Sequence, residues 1–240
     1  MRLLLVLLVS STLWAQGSLP VGSILAVRLN SSLNTRKTRP GQAITARVMQ
    51  SLPHSRIRQG EKVVGHILTV TAATKAHPAE VSFRFDVVRA AGRSFAVSTD
   101  LRALASAMDV EGAQIPATAP DRGTPGAWAT RNLIGGEVAY GEGGPVTRGT
   151  ETIGQALAEG ILAKPEPDSA RGCRGAIAGN ADPQALWVFS SDACGVYGFP
   201  SLDITHAGRS APSGEITISS REDINIRSGS GMLLRVNSVE

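Results

Sequence analysis

Val81, Phe83, Phe85 and Val87 alternate without a break with Ser82, Arg84 and Asp86. Successive side chains of a strand point to opposite faces, so a period of two requires a strand with one face in a core and one in water. The same period recurs upstream. Ile24–Leu29 places Leu25, Val27 and Leu29 on one face, and 43–49 places Ile44, Ala46 and Val48 on one face with Arg47 on the other. The run 63–70 reads as a further strand, with Gly65 inside it marking a bulge or a close backbone approach. Ala91-Gly92 turns the chain, and Phe95, Val97 and Thr99 return, so Asp86–Arg93 is a hairpin. Aromatic residues are only 4% of the chain, so the core must rest on Val, Ile, Leu and Ala.

Helical signals are few. Leu101, Leu104, Ala105 and Met108 have helical spacing behind Asp100 as an N-cap, which predicts a short helix over 101–108. Ile153, Ala156, Leu157 and Ile161 suggest a second over 152–163, weakened by Gly154 and Gly160. Between them, Pro116, Pro120, Pro125 and the glycines from 135 to 144 predict a loop-rich excursion. The last third returns to strands. A strongly apolar run, 185–190, leads into Cys194, and three short runs (215–218, 223–226, 232–236) are separated by turns and read as a meander. The fold class expected is all-β: a barrel- or sandwich-like single domain with one or two short helices and a long Gly/Pro-rich excursion. Its front strands span 18–110, the excursion 111–170 and the disulfide-containing rear strands 171–240.

Residues 1–17 have the anatomy of a secretory signal. A short basic start is followed by an apolar run from Leu3 to Leu13 and by small residues at Ala15 and Gly17. The mature chain is therefore expected to begin near Gln16 or Ser18, to carry no transmembrane segment, and to be periplasmic or secreted. The only cysteines, Cys173 and Cys194, are then expected to form a disulfide.

Charge is unevenly spread. Residues 18–110 hold thirteen Lys/Arg against five Asp/Glu, and 111–240 hold ten against fifteen. A basic front half suits an anionic partner; alternatively the two halves pack together and complement each other. Nucleic acid is not expected, because aromatic residues for base stacking are not interleaved with the cations. Arg36, Lys37, Arg39, Arg56 and Arg58 are the candidates for a basic contact surface.

Chemistry-bearing motifs fail on inspection. There is no GxSxG elbow and no HExxH, and His54, His66, His77 and His206 show no ligand spacing. Glu137, Glu142, Glu151 and Glu222-Asp223 read as solvated loop or turn acids rather than a catalytic pair. No catalytic, cofactor-binding or metal residue is assigned, and no cofactor is expected.

The front block also has a family cadence. Val21-Gly22-Ser23 leads into the strand Ile24–Leu29, Pro40-Gly41 turns into 42–48, and Ile57-Arg58-Gln59-Gly60-Glu61-Lys62-Val63-Val64-Gly65 follows. Over about residues 19–100 this resembles the β-barrel domain of TrbI-like scaffold proteins of conjugation and type IV secretion. Gln59 stands where that pattern has proline, and Glu61 where it has a small hydroxyl residue. The resemblance implies a barrel or sandwich that serves assembly rather than catalysis. The function expected is thus a non-enzymatic exported structural or binding module of the cell envelope, with envelope proteins or an anionic surface as partners. The alternatives are an exported hydrolase whose site is assembled from distant residues, or a small-ligand or lipid carrier.

Overall fold

The computed structural model describes residues 19–115, 130–141, 143–167, 173, 182–205 and 214–237. The expected signal segment and His206 lie outside them. In chain order the strands are β1 (Ile24–Leu29), β2 (Leu33–Asn34), β3 (Ala43–Val48), β4 (Lys62–Thr71), β5 (Ala79–Ala90), β6 (Arg93–Ala96) and β7 (Thr99–Ala105). Helix α1 (Ala107–Gln114) follows. Next come β8 (Arg131–Asn132), β9 (Val138–Ala139), β10 (Pro145–Arg148), β11 (Glu151–Leu157), β12 (Gly160–Ala163) and β13 (Gln184–Trp187). The chain ends with β14 (Gly195–Tyr197), β15 (Leu202–Ile204), β16 (Ile216–Ser220), β17 (Asn225–Ile226) and β18 (Gly231–Val236).

Among the described residues the largest sheet has ten strands. They run β14-β7-β18-β1-β3-β4-β5-β16-β15, with β6 paired to β5. Its neighbours are antiparallel except β14, which lies parallel to β7. Only residues 198–201 join β14 to β15, so the two edges of this sheet are neighbours in space. The sheet curls back on itself, although no described ladder joins those edges. Its inner face carries the alternating residues foreseen above: Leu25, Val27, Leu29, Ile44, Ala46, Val48, Phe83 and Phe85 belong to one contiguous core.

The front hairpin forms as the sequence indicates, with Ala90 opposite Arg93. Ala91 and Gly92 both have positive φ, the requirement of a two-residue hairpin turn matched to strand twist. Gly65 marks both a bulge and a close approach: a Cβ there would meet the Arg84 carbonyl oxygen at 1.8 Å. The bulge also corrects a detail of the alternation. Val64 lies opposite Val87 and Gly65 opposite Phe85, so Asp86 is the extra residue. The phase shifts by one, and Val88 and Ala90, not Val87, fill the core.

Three larger expectations are overturned. Residues 99–105 form strand β7, not a helix; every residue in it is buried, because β7, β18 and β1 have apolar packing on both faces. The helix starts later, at Ala107, behind Ser106, whose hydroxyl accepts from the Asp109 amide at 3.1 Å. Residues 152–163 form the hairpin β11–β12 rather than a helix. Gly154 lets β12 approach, since a Cβ there would meet the Leu162 carbonyl oxygen at 2.3 Å, and Gly160 has φ +151. The expected meander separates: β16 joins β5, β17 joins β2, and β18 inserts between β1 and β7.

The expected excursion therefore contains most of a second sheet, ordered β13-β12-β11-β10-β9-β8. It packs on the outer face of the first. Ile24, Ala26, Ala103, Ala105 and Leu233 meet Val146, Ala156, Ile161, Trp187 and Phe189 in a second core. Polar bolts join the layers. Buried Gln50 donates to the Ile161 carbonyl at 2.9 Å and accepts from the Trp187 amide at 2.6 Å. The Ser51 amide donates to Glu159 at 2.7 Å.

Two buried cations sit beside this junction. Arg102 donates to the carbonyls of Ala193 (3.0 Å) and Glu166. Arg235 donates to Asp100 at 2.9 Å, with both side chains almost fully buried. Cys173 and Cys194 form the expected disulfide, Cα–Cα 6.0 Å.

Candidate functional site

The second sheet covers only part of the outer face of the first. On β1 it buries Ile24 and Ala26 but leaves Arg28 in solvent. From Arg28 outward the antiparallel register sets a row. Arg28 lies opposite Arg47, Arg47 opposite Lys62, and Lys62 opposite Arg89. Directly opposed residues of antiparallel strands share a face, with Cβ atoms about 4.5–5.5 Å apart. All four cations are exposed, while the chain neighbours Val27, Val48, Val63 and Val88 point inward and are buried. The result is a line of four positive side chains crossing β1, β3, β4 and β5 at right angles to the strands. Three strand spacings make it about 14 Å long. It ends at Gly231 on one side and Ser94 on the other, the next residues in register.

No carboxylate among the described residues pairs with any of the four. Asp86 is already shared, with His66 Nδ1 2.7 Å from Oδ2 and Arg84 Nε 2.8 Å from Oδ1, and Glu61, beside Lys62 in the chain, accepts from the Ala91 amide at 3.2 Å. Like charges directly opposed across strands destabilise a sheet. The folded chain carries three such contacts in one row.

The five cations proposed from sequence are not brought together. Arg36, Lys37 and Arg39 lie in the turn before β3, and Arg56 and Arg58 in the loop after it. Six residues of strand, about 20 Å, separate the groups. Arg36 pairs with Asp223, and Arg39 Nη1 donates to the Thr38 carbonyl at 3.1 Å. Arg58 lies at the Arg47/Lys62 end, where its carbonyl accepts from the Glu61 amide at 3.3 Å. The row itself was half legible: alternation puts Arg28 and Arg47 outward, but only the strand register aligns them with Lys62 and Arg89.

Of the acids expected to be solvated, Glu137 is buried and Asp223, partly exposed, is tied down by hydrogen bonds. Glu137 is 6% exposed and accepts from the Ser191 hydroxyl (2.8 Å) and amide (3.1 Å). Burial raises its pKa above the usual carboxylate value, against the lowering effect of the Ser191 bonds. Asp223 is held below its usual value, chiefly by the hydrogen bond from Arg36 and then by the Ala73 amide at 3.1 Å. Both acids fasten loops.

A cavity of about 220 Å³ is lined by Ser23, His54, Ser55, Asp182 and Gln184, among others. No hydrogen bond links its histidine, acid and hydroxyls among the described residues. Ser55 Oγ is occupied by the Leu52 carbonyl (3.3 Å) and the Ile57 amide (3.0 Å). Among the described residues no group of three His, Cys, Asp or Glu is placed to hold a metal ion, and no helix is long and apolar enough to cross a membrane. No protein-family model, curated protein or solved structure matches this chain.

Proposed function

We propose that this protein is a non-enzymatic structural or binding module of the cell envelope, exported and barrel-like, whose open sheet face engages an anionic partner. The observation that carries the reading is the registered row Arg28–Arg47–Lys62–Arg89. Evenly spaced cations that no carboxylate among the described residues pairs with are matched by negative charge brought from outside. The filled inner core leaves the carrier alternative without support. The unlinked groups around His54 do the same for the hydrolase. The TrbI-like cadence of residues 19–100 favours an assembly role for the same surface.

The test is retention on carboxylated against neutral beads over a salt gradient. A variant with all four row residues changed to Gln is compared with a charge-matched control, Lys37, Arg39, Arg56 and Lys75→Gln. The row variant should elute at clearly lower salt than the control. Identical elution would remove the row from the function.

A further inference from the structure

Resting on that reading, we infer that the row binds an unbranched anionic polysaccharide laid across the strands, one acidic group per cation. The site is a line rather than a field. A membrane presents a plane, and peripheral proteins commonly bind it with apolar side chains as well as charge. Among the described residues the exposed large apolar side chains, Val21, Met108, Ile115 and Tyr140, belong to the segment before β1, helix α1 with its exit, and the residue after β9. None is on β1, β3, β4 or β5. Single-stranded nucleic acid takes an aromatic platform beside the cations. The outward positions of these four strands hold no Phe, Tyr or Trp: around the row they are Ala43, Thr45, Val64, His66, Arg84 and Asp86, while Phe83 and Phe85 are buried on the inner face.

A polymer of acidic sugars meets the remaining requirements. The cations repeat at the strand spacing, about 4.8 Å, which is close to the rise of one extended pyranose unit. Three of the four are arginines, whose planar forks take carboxylate or sulfate in two parallel hydrogen bonds. Thr45 lies two residues from Arg47 on the same face, half-buried, and Ser94 caps the row beyond Arg89. These are hydroxyls of the kind that meet sugar hydroxyls. At the opposite end Gly231 is buried beneath Val110, Trp187 and Phe189, so the second layer walls the row beyond Arg28 and a bound chain runs out past Arg89 and Ser94.

The experiment is calorimetric titration of the full, oxidised chain with size-defined oligogalacturonates. Methyl-esterified oligogalacturonate, phosphatidylglycerol/phosphatidylcholine vesicles and an oligothymidylate serve as comparisons. Affinity should climb with each acidic sugar up to about four, one for each cation of the row, and rise only weakly beyond. The esterified chain should not bind. Lys62→Gln should cost about 2–5-fold, the range of one exposed ion pair, and should flatten the dependence on log salt by about one. The four-residue Gln variant should lose about 16–600-fold in affinity, four such pairs together, while the charge-matched control keeps most of it. Length-independent binding, or equal losses in row variant and control, would overturn the inference. Binding only to vesicles or only to oligothymidylate would also overturn it, yet leave the anionic-partner reading standing. Binding to no anionic probe would overturn both.

Discussion

Lys62→Glu should make this protein more stable. Lys62 sits between Arg47 and Arg89 in direct register, so it takes part in two of the three like-charge contacts of the row. A glutamate there turns both repulsions into attractions. Cross-strand charge pairs contribute roughly 0.2–1 kcal/mol each, and exposure places these near the low end. Removing two repulsions and adding two attractions sums to about 1 kcal/mol. For a chain of this size that corresponds to a rise in Tm of about 2–4 °C. Lys62→Gln, which removes repulsion without adding attraction, should give about half. The assay is urea unfolding of oxidised protein at low salt, repeated near 1 M salt, where the screening length falls to about 3 Å and most of the gain should vanish. The same variant should bind the anionic probe more weakly, so stability and binding move in opposite directions. A loss of stability in Lys62→Glu with an unchanged m-value, or a gain indifferent to salt, would refute the registered row.

Asp100→Ala should cost about 3–5 kcal/mol in denaturant unfolding, because it leaves Arg235 buried without its carboxylate. Adding Arg235→Met should recover most of that loss; an additive further loss would contradict the pairing. Glu137→Gln should stabilise the protein increasingly as pH rises. The folded pKa lies above the unfolded one, so well below 4.5 the site is neutral in both chains and the gap between them does not change with pH. As pH rises through the folded value the native glutamate must ionise while buried, and Gln does not. A stability gap between variant and wild type that is flat from acid to neutral pH would contradict the assignment. Reducing Cys173–Cys194, 21 residues apart, should lower stability by about 3 kcal/mol. Labelling of denatured, unreduced protein should find no free thiol at either position.

The strands that are open to water on one face were legible, because alternation records a half-buried strand directly. In 43–48 and 81–85 alternate side chains face the core as the pattern dictates, and in 24–29 Leu25, Val27 and Leu29 do so although Ile24 and Ala26 are covered on the other face. Those buried on both faces were not. The segment 99–105 lost its period of two once Ala103 and Ala105 also met apolar partners, and Leu101, Leu104 and Met108 then mimicked a helix. The hairpin 151–163 was hidden by the same ambiguity. Its glycines, which weaken a helix, are what permits the close approach of β11 to β12 and of Gly160 to Trp187.

Arrangement was the least accessible feature. The three C-terminal strands look like a meander, yet each pairs with a strand from the front of the chain; such long-range pairing leaves no local mark. The candidate site shares this limit. Outward cations could be named strand by strand, but alignment in one row follows from loop lengths and the bulge at Asp86. Cations close together in sequence, such as Arg36 and Lys37, drew attention to a turn whose leading arginine is tied to Asp223.

The most direct measurement is an NMR titration that follows arginine side-chain Nε–H signals as an acidic oligosaccharide is added. The signals of Arg28, Arg47 and Arg89 should move together and saturate at one concentration, while Arg36, Arg102 and Arg235 stay still. Shifts centred on Arg36 and Arg39, or scattered over the surface without saturation, would contradict the row as the place of contact.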